Sequence, residues 1–544
     1  MIVRFPWVLN LFRKNCKKCS LHTMATIHEF GPYRLDAATE MLFRQSEPVV
    51  LGRRAVTLLR LLVERAGTPV SKDALMEAAW PGLAIEESNL TVQIAALRRI
   101  FADVEGGTTW IETLPRRGYR YIGPTVSTRA GADLSSSLAS AVSDKPSLAV
   151  LPLSNVSGDP AQDYFSDGIT GDIIAELSRF RSLFVVGRHS SFAYRDNSAE
   201  IKRVGHELGV RYVAEGSVCK IGSRVRVTIQ LLDAGSGYHL WTERYDRELE
   251  NIFVLQDEIV QAIVAALPGR LEDAGREIAR RKPTSSITAY DLVLLGNERW
   301  RQLTVRGMAE AREYFRNAVA LDPQYARAHV NIAWTIVCDV FLEASTTATL
   351  DEALREIETA LGIDDGDAWA HGVFAQLLFL RNEDDKAEIH FSRALALNPN
   401  DADVAAVFAN ILVYWGRWRE ALIWIGTAKR LNPFPPNLYH WYHALALYSG
   451  REYAQAVKAL MEARSLDRWS HGLLAACYAQ MARLGEARSE AEAFVRQRSR
   501  ELNENGDVLP VHTLDLVQAR AGRYRNLADR EHFLDGLRKA GLTG

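Results

Sequence analysis

Glu87-Ser88-Asn89-Leu90-Thr91-Val92-Gln93-Ile94-Ala95-Ala96-Leu97-Arg98-Arg99-Ile100-Phe101 is free of Gly and Pro, and Leu90, Ile94, Leu97 and Phe101 recur in it at intervals of 4, 3 and 4. Those intervals put the four apolar side chains on one face of a helix. Ser88, Val92, Ala95, Ala96 and Arg99 then point away, with Asn89 and Gln93 flanking them. A face of short polar and small apolar groups bordered by arginine suits a DNA major groove, where amides read base edges and Val92 meets a thymine methyl. An ordinary amphipathic surface helix fits the same periodicity. Two helices are expected upstream: Arg53 to Arg65, with Val56, Leu59 and Val63 on one face, and a second from a Ser71 N-cap to Trp80, broken by Pro81-Gly82. Downstream, strand-like Thr109–Thr113 and Tyr119–Ile122 flank Leu114-Pro115-Arg116-Arg117-Gly118. The tip and return strand of this hairpin carry Arg116, Arg117 and Arg120 and no acid. A helix-turn-helix followed by a basic hairpin is a DNA-binding design, the helix in the major groove and the hairpin on phosphates or in the minor groove.

From Phe30-Gly31-Pro32-Tyr33-Arg34-Leu35-Asp36, through Trp80 and Glu87–Val92, to Arg117-Gly118-Tyr119-Arg120-Tyr121, the sequence resembles the winged-helix output domain of two-component response regulators. The resemblance spans about 27–124 and implies an α+β winged helix-turn-helix that binds double-stranded DNA. It matches Ser88, Asn89, Val92, Gln93 and Arg98 to recognition-helix contacts, and Arg116, Arg117 and Arg120 to wing contacts. Ala96, Arg99 and Tyr119 complete the candidate DNA-binding set. Some family members hold Arg where Ala95 and Ala96 stand, so base preference does not transfer. Residues 27–124 hold 12 basic and 12 acidic residues, which places affinity on the wing and outer helix face with a modest salt dependence.

A second pattern, Ala-x-x-x-bulky-x-x-Ala, recurs at Ala311/Phe315/Ala318, Ala353/Ile357/Ala360, Ala387/Phe391/Ala394, Ala421/Ile425/Ala428 and Ala456/Leu460/Ala463, with a weaker copy from Ala487. The intervals are 42, 34, 34, 35 and 31 residues. Offsets 0, 4 and 7 share a helical face, and the small Ala residues let a neighbouring helix approach closely. Pro323, Pro399 and Pro433 end their helices. The pattern resembles the tetratricopeptide repeat family over about 290–500, which implies an all-α superhelix whose groove takes a protein or peptide partner. The long first interval indicates an insertion around Ala344–Leu350.

Between these regions, 125–145 is rich in Ser, Thr, Ala and Gly and reads as a linker. Strand-like Ser147–Leu153, Leu183–Val186, Tyr212–Val218 and Arg224–Leu231 alternate with helical Phe165–Ser178 and Ala199–Leu208, an α/β pattern. Asp163–Thr170, Gly205–Tyr212 and Leu240-Trp241 resemble the TolB-amino-terminal-like domain, a family without established chemistry. The expected multidomain organisation is a tail at 1–26, a winged helix at 27–124, a linker at 125–145, an α/β domain at 146–275, repeats at 285–520 and a tail at 521–544.

The 544-residue chain is 47% apolar and 24% charged with a net charge of −2, an ordinary folded composition without overall attraction to nucleic acid or anionic membrane. Cys16 and Cys19 form a lone C-x-x-C without a second ligand pair, and Cys219, Cys338 and Cys477 lie far apart. Neither a disulfide framework, a metal nor a cofactor is expected. No run of 18 apolar residues suggests a membrane span, so a cytoplasmic protein is expected. Residues 1–26 are too short for a receiver domain, and Met24 offers an alternative start. Asp163, Asp167 and Asp172 could share a helix face, but no phosphate loop or nucleophile elbow accompanies them. The expectation is a non-enzymatic transcriptional regulator, with homodimerisation on DNA left open. The alternative is a tetratricopeptide assembly scaffold whose winged helix contacts protein.

Overall fold

The computed structural model describes residues 26–36, 41–44, 47–49, 51–79, 87–102, 104, 106–115, 117–130, 145–180, 182–195, 200–267, 284, 286–302, 304–342, 349–505 and 522–542. They divide between Ser143 and Asp144 into two compact units. Cys16, Cys19, Trp80, Arg116 and all but the last two residues of the insertion expected around Ala344–Leu350 lie outside the described residues.

The first unit opens with a meander that the sequence pattern did not announce. Strands β1 (Thr26–Phe30), β2 (Tyr33–Asp36), β3 (Met41–Arg44) and β4 (Glu47–Val49) pair antiparallel in sequence order. Ser127–Ala130, expected as linker, is instead strand β7 on the outer edge of β1, with His28 opposite Thr128. Strands of three to five residues carry too little alternation to be read against their turns. Helices α1 (Arg53–Glu64), α2 (Lys72–Ala79) and α3 (Glu87–Phe101) follow, then the hairpin β5 (Ile111–Leu114) and β6 (Gly118–Tyr121). Leu90, Ile94, Leu97 and Phe101 of α3 are all buried, as are Val56, Leu59 and Val63 of α1. Phe30, Tyr33, Phe101, Trp110 and Tyr121 interlock with ring centroids 5.2–6.4 Å apart, fastening the meander to the end of α3 and to the hairpin.

The second unit begins with strands β8 (Ser147–Val150), β9 (Ser154–Asn155), β10 (Phe184–Val185), β11 (Tyr212–Ile221), β12 (Arg224–Asp233) and β13 (His239–Glu248). The sheet runs β10-β8-β11-β12-β13, with β9 beside β11. Its β8, β10 and β11 are mutually parallel where they pair, while β11 to β13 form an antiparallel meander. Helices α4 (Asp163–Ser178), α5 (Arg188–Phe192), α6 (Ile201–Leu208) and α7 (Ile252–Ala266) accompany it. The apolar sides of α4 and α7 share one core with the sheet, and α6 helps cover a second.

Among the described residues, twelve helices then alternate as six pairs: α8 (Ile287–Trp300) with α9 (Val305–Leu321), α10 (Ala326–Leu342) with α11 (Leu350–Ile363), α12 (Ala368–Leu380) with α13 (Asp384–Leu397), α14 (Ala402–Tyr414) with α15 (Trp418–Leu431), α16 (Asn437–Ser449) with α17 (Tyr453–Met461), and α18 (Arg468–Gln480) with α19 (Leu484–Asn505). The Ala and bulky positions of the repeat are buried from Ala311 to Leu460. Ala463 is half-exposed, because α17 stops at Met461. A Cβ at Gly296 would lie 2.4 Å from the Phe315 ring, which is how closely the first pair meets. Pairs are separated by Asp N-caps: Asp367 accepts from Trp369 and Ala370, Asp401 from Val404, and Asp467 from Ser470.

The expected tail at 521–544 also holds a helix, α20 (Leu527–Lys539). Phe533, Leu534 and Leu537 are buried on it, and the Tyr448 hydroxyl donates to the His532 carbonyl at 3.0 Å. This helix therefore packs back on α16, and Gly536 approaches Ala476 of α18.

The α/β part and the repeats share a core, since Tyr290 and Leu294 of α8 pack with α4 and α7. Polar groups lock the seam. Asp172 accepts from Arg327 Nη1 at 2.5 Å, the Tyr290 hydroxyl at 2.8 Å and Gln256 Nε2 at 3.1 Å. Asn400 Nδ2 donates to the carbonyls of Ser178 (2.9 Å) and Leu183 (3.1 Å). Asn432 Oδ1 accepts from the Ser190 amide (2.9 Å) and hydroxyl (2.5 Å), and the Gly187 amide donates to Leu431 O at 2.7 Å. Asp172, Asn400 and Asn432 are buried and satisfied, the condition under which a polar seam holds rather than weakens a fold.

Candidate nucleic-acid interface

The outer side of α3 is built by subtraction. Leu90, Ile94, Leu97 and Phe101 face inward, so Ser88, Asn89, Thr91, Val92, Ala95 and Arg99 remain exposed, with Gln93 and Ala96 half-buried. Val92 is 63% exposed, a branched apolar side chain standing in water between amides. Arg99 enters no ion pair among the described residues. Six of the sequence-derived candidates therefore lie together on one solvent-facing surface.

The frame that presents this surface is specific. Lys72 of α2 pairs with Glu87 at 2.5 Å, fixing the start of α3 and raising the Lys72 pKa through that hydrogen bond. The amide of Val70 donates to Tyr119 O at 2.8 Å and the Tyr119 amide to Val70 O at 2.9 Å, joining the segment before α2 to β6. Gly118 makes that junction fit. Its φ is +106°, and a Cβ there would stand 2.0 Å from Val70 O.

Three candidates are placed differently from the sequence expectation. Arg98 lies at the inner edge of the helix, where Nη2 donates to Ile111 O (2.6 Å) and Thr113 Oγ1 (2.7 Å) and Nε to Ile111 O (3.1 Å). It ties α3 to β5, a positioning role. Tyr119 is 5% exposed and belongs to the core. Arg120 pairs with Glu112 on the facing strand through Nη2 at 2.6 Å and Nε at 3.0 Å. The hairpin tip lacks acid, but its outgoing strand supplies one. Arg117 is exposed at the turn. The helical period could not reveal the pairings, because they link residues 8 to 15 apart through the hairpin.

The three aspartates of the α/β part do not converge. Asp163 accepts from Asn155 Nδ2 at 2.7 Å, Asp167 pairs with Arg195 and lies 3.8 Å from Arg188, and Asp172 sits in the seam. Among the described residues no group of three or more His, Cys, Asp or Glu side chains is placed to hold a metal. No helix of the described residues is long and apolar enough to cross a membrane.

Residues 46–121 match the family described as transcriptional regulatory protein, C terminal, and 349–435 match the tetratricopeptide repeat family. The chain thus carries an amino-terminal winged-helix domain of the transcriptional-regulator type and a carboxy-terminal tetratricopeptide array. Among whole proteins, it is 40% identical over 246 residues to "Putative adenylate cyclase 3" of Rhizobium meliloti, covering 45% of this chain and 42% of that one. It is 25% identical over 288 residues to the transcriptional regulator HilA of Salmonella typhimurium, covering 52% of this chain and 48% of that protein. The chain thus spans less than half the length of either relative. The DNA-binding domain of E. coli CadC is also similar, at 22% identity over 20% of this chain and 99% of that one, with a TM-score of 0.18.

Proposed function

We propose that the protein is a cytoplasmic, non-enzymatic transcriptional regulator that reads double-stranded promoter DNA with α3 and receives its signal through the α/β and repeat part. The observation that supports this most is the outer face of α3. Ser88, Asn89, Val92, Gln93 and Arg99 stand beside one another on a helix that turns Leu90, Ile94, Leu97 and Phe101 inward. Helices presented in this way insert into a major groove and read it with amides and small apolar groups. Arg99 and Arg117 are the candidate phosphate contacts, and Arg98 and Arg120 support the frame that aims them. The engagement of Asp163, Asp167 and Asp172 in structural bonds supports the non-enzymatic reading, and the repeat array supports a protein or peptide partner.

A fragment of residues 24–130, which keeps β7, tests the reading in electrophoretic shifts with selected and random duplexes. The expected result is sequence-selective binding, with Gln93→Ala relaxing preference at one base pair by about 1–3 kcal/mol. Failure of the fragment to bind any duplex would move the reading to a protein scaffold.

A further inference from the structure

Strand β13 is the end of its sheet: β12 pairs along one side, and no strand among the described residues pairs along the other. It is ten residues long, and a free edge of that length is a template for another strand. Its backbone phase can be read. The Leu249 amide donates to Ser223 O at 2.6 Å, so odd-numbered residues of β13 turn their amides and carbonyls towards β12. Thr242, Arg244, Asp246 and Glu248 therefore turn theirs to the open edge.

The charges along the edge read Glu243-Arg244-Tyr245-Asp246-Arg247, opposite in sign about Tyr245. We propose that this edge is a homodimer surface, on which β13 pairs antiparallel with β13 of a second copy of the chain about a two-fold axis at Tyr245. In that register Arg244 lies opposite Asp246 of the second copy and Glu243 opposite Arg247, giving four opposite-charge pairs across the axis. The edge groups of Arg244 and Asp246 become a hydrogen-bonded pair, the Asp246 carbonyl using its second lone pair beside the Arg247 Nη1 that donates to it at 3.1 Å. Sliding by one step of the edge phase in either direction sets Arg244 against Arg244 or Asp246 against Asp246, so the charges select one register.

The side chains are placed for this. Arg244 is exposed and has no ion-pair partner among the described residues. Asp246 accepts from Arg226 at 2.7 Å and Arg224 at 3.1 Å, and its carboxylate has acceptor capacity left. Arg247 already pairs with Glu258 at 2.9 Å and Glu243 accepts from the Tyr245 hydroxyl at 3.0 Å, so the Glu243–Arg247 pairs add less than the Arg244–Asp246 pairs. Such isologous pairing joins two six-stranded sheets into one. It does not depend on the DNA-binding reading, and its failure leaves that reading intact.

Sedimentation velocity of the full-length protein over a concentration series tests the proposal. The expected result is a concentration-dependent doubling of mass. Arg244→Glu, which sets like charges opposite each other, should weaken association about tenfold or more. Arg244→Pro should do the same by blocking the edge. Its lost amide makes no bond to β12, so circular dichroism and melting should match the parent. A parent that stays monomeric at every concentration, or an Arg244→Pro protein that folds and associates like the parent, would overturn the proposal.

Discussion

Asparagine and arginine occupy two surfaces of this molecule with opposite outcomes. On α3, Asn89 and Arg99 stand exposed on a helix that turns Leu90, Ile94, Leu97 and Phe101 inward. At the seam of the second unit, Asn400, Asn432 and Arg327 are engaged by named partners across 155 to 242 positions of sequence. Residue type alone does not distinguish a recognition surface from a structural joint. What distinguishes them is whether the polar groups find partners inside the fold. An exposed amide remains available to a ligand, whereas a buried one left without a partner would destabilise the protein.

The largest effect should come from breaking the joint. Asp172→Ala removes a carboxylate that answers Arg327, Tyr290 and Gln256 at once and leaves a guanidinium without its counter-charge. Loss of one partner of a buried pair costs about 3–5 kcal/mol. Urea unfolding of the full chain should show that loss in the second unit, while the first unit unfolds as in the parent. A loss under 1 kcal/mol would mean the seam is wetter and looser than its geometry indicates.

The contrast also explains what the sequence could show. The face of α3 is local, and period alone separates Leu90, Ile94, Leu97 and Phe101 from Val92 and Arg99. The repeats are legible for the same reason, since each Ala-bulky-Ala motif lies within one helix. Asn398-Pro399 and Asn432-Pro433 read correctly as helix ends, yet Asn432 also grips Ser190. Nothing within a few residues of Asn432 encodes that contact. β7 and α20 escaped for a related reason: polar Ser127–Ala130 is a strand only through its pairing with β1, and a short apolar set such as Phe533, Leu534 and Leu537 gains meaning only from the surface it covers.

A second experiment moves a residue from one side of the comparison to the other. Arg98 has the sequence position of a DNA contact and the geometry of a joint, with bonds to Ile111 O and Thr113 Oγ1. Arg98→Ala should lower the stability of the 24–130 fragment by about 1.5–3 kcal/mol, the worth of charge-assisted bonds. It should leave the salt dependence of DNA binding unchanged, because no phosphate contact is lost. Arg99→Ala should give the reverse, with stability kept and the salt slope reduced by about 1. If Arg98→Ala alone lowered the slope, its guanidinium would have left the hairpin for the phosphates.

The smallest effect separates the two units by their histidines. In the repeats, burial and then the neighbouring charge of His371 push His390 down to about 4, and the two Nδ1 atoms lie 2.8 Å apart. His329, one repeat earlier at the position of His371, faces Glu356 instead at 2.6 Å, and that carboxylate outweighs burial to raise its pKa. The unfolded chain therefore protonates His390 near 6.5 while the folded array resists until about 4. Stability from this site is complete above 6.5 and lost as pH falls towards 4. Allowing for partial exposure, the loss is about 1–2 kcal/mol. His329 works in the opposite sense: its stabilisation is present below 6.5 and fades as pH rises through its raised folded value. His390→Leu should flatten the acid limb of the array, whereas His329→Leu should lower stability by a constant amount below pH 6.5 and leave the slope of that limb unchanged. The first unit contributes only His28, lowered mainly by burial, among its described histidines. Hydrogen exchange on the full chain at pH 7 and pH 5 should therefore show α12 and α13 opening in acid more than α1 and α3, and equal opening in both would contradict the assignment to His390.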